Sequence, residues 1–341
     1  MRALVIGGTG FIGLNVVDAL LATGAEVRVT RRKQSITVLL KRRTAVEMVD
    51  ASLEEPEKLR QAMDGCDVVY LAGAHYPRYS LDLEATMESG LRGVENACTA
   101  AMAASVPRFV YTSTIATLGP APEGRQADER DVPLTAPSDS VYRAVKWAME
   151  REVDRARVAG LDAVTLLPGG CIGPGDLRLG TGSVIAGVVQ GLLPWWVDGL
   201  VNIVDVGDVA RAHVAAARPT PHDRYALAGH TLRVPSLLRR IAQRYGGTVP
   251  DLELSAAEAR ARAHADETAA APKRERVAVP REFVDMATSG QQVSNARAQA
   301  ELGMVVTPLD EALDHAHAFL ARFGFVPRPA AKGDIDEHPQ Y

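Results

Sequence analysis

Cysteine is scarce in this chain. Cys66, Cys98 and Cys171 are its only three in 341 residues, scattered and without metal-ligand spacing. That pattern offers no metal site and reads as buried free thiols in a reducing compartment. An excess of positive charge is missing too: the formal net charge is −4, which leaves no electrostatic footprint for nucleic acid. No apolar run is long enough to span a bilayer, and no internal repeat is found. Met1 leads directly into the first apolar segment, which leaves no room for a signal peptide, so a cytoplasmic location is expected. What is present, 47% hydrophobic and 23% charged residues, is ordinary for a globular protein. The chain suffices for one large α/β domain with an appended lobe, or for two domains.

The most informative segment is Gly8-Thr9-Gly10-Phe11-Ile12-Gly13. It follows Ala3-Leu4-Val5-Ile6, a run fit for a buried parallel strand, and opens a segment in which Ile12, Val16, Val17, Leu20 and Leu21 recur at helical spacing. A glycine turn between strand and helix lets backbone approach a pyrophosphate, while the helix N-terminus supplies free N–H groups and a favourable dipole. An ordinary tight turn is the bland alternative; the strand before and the helix after favour dinucleotide binding.

Strand-like and helical segments then alternate. Strands are expected near 26–30, 45–49, 67–72, 108–112 and 163–167, with helices near 53–63, 81–104 and 140–159. Such alternation implies a Rossmann-type, doubly wound parallel sheet in an α/β fold. Beyond Pro168 the pattern loosens. Residues 201–206 read as a strand returning to the main sheet, and 236–245, 255–271 and 308–323 as helices. The expected organisation is a dinucleotide-binding domain (1–174 and 200–230), a smaller, mostly helical substrate lobe (175–199 and 231–326) and a polar tail (327–341).

Tyr142 and Lys146 stand four residues apart, hence on one face of a helix. A free tyrosine, with a pKa of about 10, is a poor acid or base near neutrality, and a nearby ammonium favours its phenolate. Upstream lies Phe109-Val-Tyr-Thr-Ser-Thr-Ile-Ala-Thr-Leu-Gly119. The glycines also read as Gly7-x-x-Gly10-x-x-Gly13. These motifs, with Leu167-Pro168-Gly-Gly-Cys-Ile-Gly-Pro174-Gly-Asp176 and Asn202-Ile-Val-Asp-Val-Gly-Asp208, resemble the extended short-chain dehydrogenase/reductase superfamily, the NAD-dependent epimerase/dehydratase family. Within it, Thr114-Ile-Ala-Thr-Leu-Gly119 and Leu193-Pro-Trp-Trp-Val-Asp-Gly-Leu-Val-Asn202 look most like the dihydroflavonol-4-reductase-like group, which includes members named hopanoid-associated sugar epimerases.

The resemblance implies a catalytic trio of Thr114 (usually a serine), Tyr142 and Lys146. It implies cofactor contacts from Gly7, Thr9, Gly10, Phe11, Ile12, Gly13, Asp50, Ala51, Leu71, Ala72, Gly73 and Thr112, and on the nicotinamide side from Pro168, Gly170 and Cys171. Asp50 has a bland alternative as a helix-start acid. Thr30 occupies the place where NAD-binding members carry an acid, and Arg31 and Arg32 follow. Guanidinium groups there suit a 2′-phosphate, so NADP(H) is expected over NAD(H). One departure stands out: Gly90 replaces a frequent asparagine that supports active-site water. His75, Tyr76, Trp195 and Trp196 are the substrate-facing candidates, suggesting an apolar or aromatic carbonyl, although both tryptophans have an equal claim as packing.

The leading expectation is an NADPH-dependent reductase of a ketone or aldehyde, with Tyr142 as general acid. The alternatives are a nucleotide-sugar epimerase or dehydratase holding NAD, and a non-catalytic NADP-sensing regulator. The expected partner is a small-molecule carbonyl substrate, with no nucleic acid, membrane or metal; a homodimer is left open.

Overall fold

Ala3, Leu4, Val5 and Ile6 are all buried and belong to β1 (Arg2–Ile6), an interior strand of the main sheet. A parallel strand covered on both faces has to be apolar throughout. Its side chains still divide by face: Val5 joins Val16, Val17 and Leu20, whereas Leu4 joins Leu59, Met63 and Val94. The computed structural model describes residues 1–74, 79 and 81–327.

After β1 come α1 (Phe11–Ala22), β2 (Glu26–Arg31), β3 (Val46–Asp50), α2 (Pro56–Met63), β4 (Val68–Leu71), α3 (Leu83–Ala103), β5 (Phe109–Thr112), α4 (Val141–Val158) and β6 (Ala163–Pro168). The second half holds β7 (Gly170–Ile172), α5 (Gly182–Val189), β8 (Trp196–Val197), β9 (Leu200–Asp205), α6 (Val206–Ala215), β10 (Arg224–Leu227), β11 (His230–Arg233) and α7 (Val234–Tyr245). β12 (Glu253–Leu254), α8 (Ala256–Ala270), α9 (Arg281–Thr288), α10 (Ala296–Leu302) and α11 (Leu309–Arg322) complete it.

Seven parallel strands make the main sheet, in the order β3-β2-β1-β4-β5-β6-β10. Side chains of α1 and α6 cover one face, and those of α2, α3 and α4 the other. This is the doubly wound sheet expected from the alternation. The chain runs outward from β1 to β3 and then returns to β4, so a crevice opens beyond the carboxyl ends of β1 and β4.

One expectation needs correcting. The strand near 201–206 exists as β9, but it does not join the main sheet. It lies between β7 and β11 in a second, three-stranded sheet. The reason is local. A Cβ on Gly169 would fall 2.2 Å from Asn202 Oδ1, so this glycine admits β9 beside the chain leaving β6. Asn202 is then held there, its Oδ1 accepting from the Gly229 N–H at 2.8 Å and its Nδ2 donating to Thr231 Oγ1 at 2.9 Å. The edge of the main sheet is filled instead by β10, which pairs with β6.

The remaining helices gather around two smaller cores. Ile185, Val188, Leu237, Ile241, Leu313 and Leu320 form one, and Trp195, Ala259, Ala263, Val284 and Ala287 the other. α8 starts at a capping box, in which Ser255 and Glu258 satisfy each other's backbone N–H groups. Helices α5, α9 and α10 were not expected; they have eight, eight and seven residues, too short for a periodic pattern to stand out. Among the described residues no helix is long and apolar enough to cross a membrane. The polar tail lies outside the described residues from 328 onward.

Candidate active site

The first turn is built on close backbone approach. Gly7 has φ +89°, and a Cβ there would fall 2.3 Å from Gly73 Cα; one on Gly13 would fall 2.3 Å from the Gly7 carbonyl oxygen. Larger residues at these places would force β1, α1 and the chain after β4 apart. Gly10 caps α1 without any side chain on the helix N–H groups. The cradle and the free helix N-terminus fit the pyrophosphate of a dinucleotide, which these residues would hold. Thr9, Gly10, Phe11 and Ile12 line a cavity of about 1320 Å³ that runs on past Ala51, Ala72 and Gly73.

At the end of β2 and β3, Arg31 and Asp50 are register partners, and Arg31 Nε donates to Asp50 Oδ1 at 2.8 Å. The Arg32 backbone N–H donates to Ser35 Oγ at 2.9 Å, and the Arg32 side chain is exposed at the cavity edge. Leu71 is placed differently from the other cofactor candidates: its side chain is fully buried in the core beside Leu4.

Thr114 lies beyond β5 and caps a short 3₁₀ turn, its Oγ1 accepting from the Ala116 N–H at 3.2 Å. Ser140 caps α4, so Tyr142 falls in its first turn and Lys146 one turn later. Thr114 lies beside the Tyr142 hydroxyl, and Lys146 Nζ lies 6.0 Å from the centre of the Tyr142 ring. The structure thus gathers all three expected catalytic residues in one cavity with Pro168, Gly170 and Cys171. A buried ion pair fixes the far half of α4: Glu150 accepts from Arg224 at 2.9 Å and from Thr117 Oγ1 at 2.9 Å.

Burial dominates the electrostatics. It pushes the Tyr142 phenol well above its ordinary range, with the nearby charge of Glu282 adding to the effect and the Thr114 side chain opposing it. Burial also pulls Lys146 down to about 8, against the pull of Glu282 and Glu150. The expectation that Lys146 would favour the phenolate is therefore outweighed here. Desolvation of a group only 7% exposed costs more than an ammonium at this distance returns, and the phenol stays protonated.

Gly90 explains its own presence. A Cβ there would meet Val145 Cγ1 at 3.0 Å and Met149 Sδ at 3.1 Å, both on α4 between or beyond the catalytic residues. Thr112 Oγ1 lies 2.7 Å from His213 Nε2, so this hydroxyl is engaged in the core. Trp195 is 2% exposed among Ala259, Ala263 and Val284, as packing requires, although it also borders the cavity. The half-buried Trp196 donates its indole N–H to the Pro250 carbonyl at 3.1 Å. His75 and Tyr76 lie outside the described residues. The cavity wall on this side is apolar, with Val184, Ile185, Leu193, Val197, Leu200 and Phe283.

Buried acids at the cavity received no role in the sequence reading. Asp176 is buried and accepts from the Gly180 and Gly182 N–H groups at 2.8 and 3.1 Å, which fixes the loop into α5. Glu282, in the first turn of α9, is 5% exposed. In sequence it reads only as an acid favoured by a helix N-terminus.

A doubly wound parallel sheet with a glycine cradle at β1 and a hydroxyl, a phenol and an ammonium beyond β5 defines an NAD(P)-dependent oxidoreductase of the extended short-chain dehydrogenase/reductase class. Residues 3–228 match the model of the NAD dependent epimerase/dehydratase family, and the chain belongs to that family. It is 30% identical to a dihydroflavonol 4-reductase-like protein of Synechocystis sp., over 94% of this chain and 95% of that one. It is 27% identical to sterol demethylase protein B of Methylococcus capsulatus, over 96% and 100%. The crystal structure of PA4631, a nucleoside-diphosphate-sugar epimerase from Pseudomonas aeruginosa, superposes with a TM-score of 0.79 at 26% identity, covering 96% of this chain and 99% of that one.

Proposed function

We propose that this protein is an NADPH-dependent reductase of a neutral, largely apolar ketone or aldehyde. The observation that carries the reading is the gathering of Thr114, Tyr142 and Lys146 in one cavity with an aliphatic and aromatic stretch of wall. Carbonyl reduction consumes one proton, which a neutral phenol beside the reacting oxygen carries. Bound NADPH supplies the hydride. Thr114 holds the substrate carbonyl and steadies the charge that develops on its oxygen. Tyr142 delivers its proton to that oxygen and is left as the phenolate, which takes a proton back from water once the alcohol leaves, and Lys146 would hold the cofactor ribose. Arg31 and Arg32 take the 2′-phosphate. Residues 175–199 and 231–326 serve as the substrate lobe.

A second reading is a nucleotide-sugar epimerase, favoured by the likeness to the P. aeruginosa structure. Such an enzyme returns the hydride to its own substrate. Against it stand the two arginines beyond β2 and the aliphatic stretch of wall; Arg178 and Arg276, which line the same cavity, are the groups a sugar nucleotide would have to use. The non-catalytic regulator is the weakest reading, since Thr114, Tyr142 and Lys146 are all in place. Stoichiometry decides between the first two. Loss of nicotinamide absorbance is measured against alcohol formed, across aromatic and aliphatic ketones and several UDP- and dTDP-sugars. The expected result is one NADPH consumed per carbonyl reduced; sugar isomers formed without NADPH loss, and no ketone turnover, would make the epimerase right.

A further inference from the structure

Among the described residues three that are not glycine have a positive φ: Ser105 at +50°, Leu179 at +50° and Arg274 at +56°. Ser105 directly follows the cap of α3, and Arg274 caps the 3₁₀ turn Ala271–Lys273; left-handed backbone is common where a helix ends. Leu179 ends no helix. It lies in the loop from β7 to α5, in a conformation that strains a leucine and suits a glycine. Asp176 closes this loop on itself. Its carboxylate is 3% exposed, with Oδ1 accepting from the Gly180 N–H at 2.8 Å and Oδ2 from the Gly182 N–H at 3.1 Å. The Leu179 N–H donates to the Asp176 carbonyl at 3.3 Å. Glycine is required at 182, because a Cβ there would fall 2.8 Å from Asp176 Oδ2. One buried acid thus holds Leu179 through its own N–H and through the residue after it. Leu179 is half-buried, packs against the lobe core that includes Ile185 and Leu237, and lines the cavity with Tyr142 and Cys171.

We infer that Leu179 is a specificity-determining residue: Asp176 holds it in a strained turn so that its side chain forms a fixed part of the wall against which the apolar substituent of the substrate packs. Backbone strain persists only where the surroundings over-determine it, and it gathers at ligand clamps. A glycine at 179 would relax the backbone and an alanine would keep the strain, but neither would supply the isobutyl group at the cavity. That group is what the leucine adds. The loop leaves β7, whose Gly170, Cys171 and Ile172 border the same cavity, so one short stretch of chain joins the nicotinamide side to this wall. Asp176 acts through Leu179 and is its positioning residue.

This inference rests on the reductase reading, but part of its test does not. Leu179→Ala and Leu179→Gly are compared with wild type in the reduction of acetophenone, 2-decanone and butanone. Both variants should lose about tenfold in kcat/KM for the two larger ketones, mainly through KM, and about twofold or less for butanone. Urea unfolding reads the strain: Leu179→Gly should have the higher midpoint of the two, whereas at a relaxed loop position alanine would. Asp176→Asn should lower the same selectivity in the wild-type background and change it less than about twofold in Leu179→Gly, where no side chain is left to position. A loss as large in both backgrounds would remove Asp176 from this role. Calorimetry with benzamide and octanamide, which resemble the ketones and are not reduced, gives a readout without turnover. Both amides should bind wild type and weaken about tenfold in the two leucine variants. Selectivity and amide affinity unchanged in the folded variants overturn the inference, even if stability falls, since lost packing alone does not sort ketones by size. If wild type turns over no ketone, the reductase reading fails while the amide affinities still decide the role of Leu179; amides that wild type does not bind overturn it.

Discussion

Arg31 and Asp50 close the last rung between β2 and β3, with Arg31 Nε 2.8 Å from Asp50 Oδ1. Both had been expected to contact the cofactor, Arg31 at the 2′-phosphate; the structure pairs them with each other. Magnitude decides whether this pairing blocks the phosphate role. The side chains are 36% and 68% exposed, and ion pairs so open to water are worth about 0–1 kcal/mol. A charge-assisted hydrogen bond to phosphate is worth about 1.5–3 kcal/mol. Arg31 can thus leave Asp50 for a phosphate at little cost.

From this follows the cofactor prediction. The Arg31→Ala, Arg32→Ala double variant should bind NADPH about 10–100-fold more weakly while NADH affinity changes little. Asp50→Asn should leave NADPH binding unchanged or tighten it by up to about fivefold, by releasing Arg31. Titration calorimetry with both cofactors measures this. Equal NADPH affinity in wild type and the double variant removes the 2′-phosphate assignment.

Tyr142→Phe should lose about 10²–10⁴-fold in turnover and keep most of its cofactor affinity, because only the proton donor is removed. The fold should survive, at a cost of about 1 kcal/mol for the lost buried hydroxyl. Thr114→Ser keeps the hydroxyl and should stay active; Thr114→Ala should not. Lys146→Ala should damage both binding and turnover. Single-turnover rates and cofactor titrations separate these effects, and a fully active Tyr142→Phe refutes the mechanism.

The legible parts of this molecule were those that repeat a local rule. Four of the seven main-sheet strands, β1, β4, β5 and β6, are nearly continuous buried runs, β2 and β3 alternate apolar with charged residues, and Thr114, Tyr142 and Lys146 are set by short spacings beside them. The seventh, β10, has four residues beginning with the buried Arg224, which is paired with Glu150, so its pattern does not announce a strand. β9 was seen but misplaced, because its partner is chosen by the space at Gly169 rather than by its own composition. Glu282 was invisible for a different reason. Its place depends on α9 and α4 lining one cavity, a juxtaposition of distant parts of the chain that no local pattern encodes.

Gly90 offers a test of packing against chemistry. Alanine in mid-helix gains up to about 1 kcal/mol over glycine in propensity, while overpacking a close interface costs about 1–3 kcal/mol. Met149 is flexible and Val145 is not, so Gly90→Ala should come out within about 1 kcal/mol of wild type. Gly90→Asn adds further atoms against α4 and should lose about 1–3 kcal/mol in urea unfolding, with reduced kcat as Val145 shifts between Tyr142 and Met149. Gain of activity in Gly90→Asn at unchanged stability would mean that an asparagine is accommodated and its water-supporting role is restored.

His213 carries a prediction about acid stability. Its ring is fully buried between the Val209 carbonyl oxygen, 2.7 Å from Nδ1, and Thr112 Oγ1, 2.7 Å from Nε2. A carbonyl can only accept, so Nδ1 carries the proton and the Thr112 hydroxyl donates to Nε2 in the neutral ring. Burial lowers its pKa to about 4, with the bond to Val209 opposing. An unfolded histidine titrates near 6.5, so the unfolded chain takes up this proton first. The stabilisation is fully present above about pH 6.5 and is lost as pH falls toward 4, up to about 3 kcal/mol. Protonation would also cost Thr112 its acceptor, directly before Ser113 and Thr114, so the catalytic strand end should loosen in the same window. Urea unfolding of wild type and His213→Gln at intervals from pH 7.5 to 4.5 reads this out. Wild type should start more stable and lose more, and parallel curves for the two proteins would remove His213 as the source of the acid sensitivity.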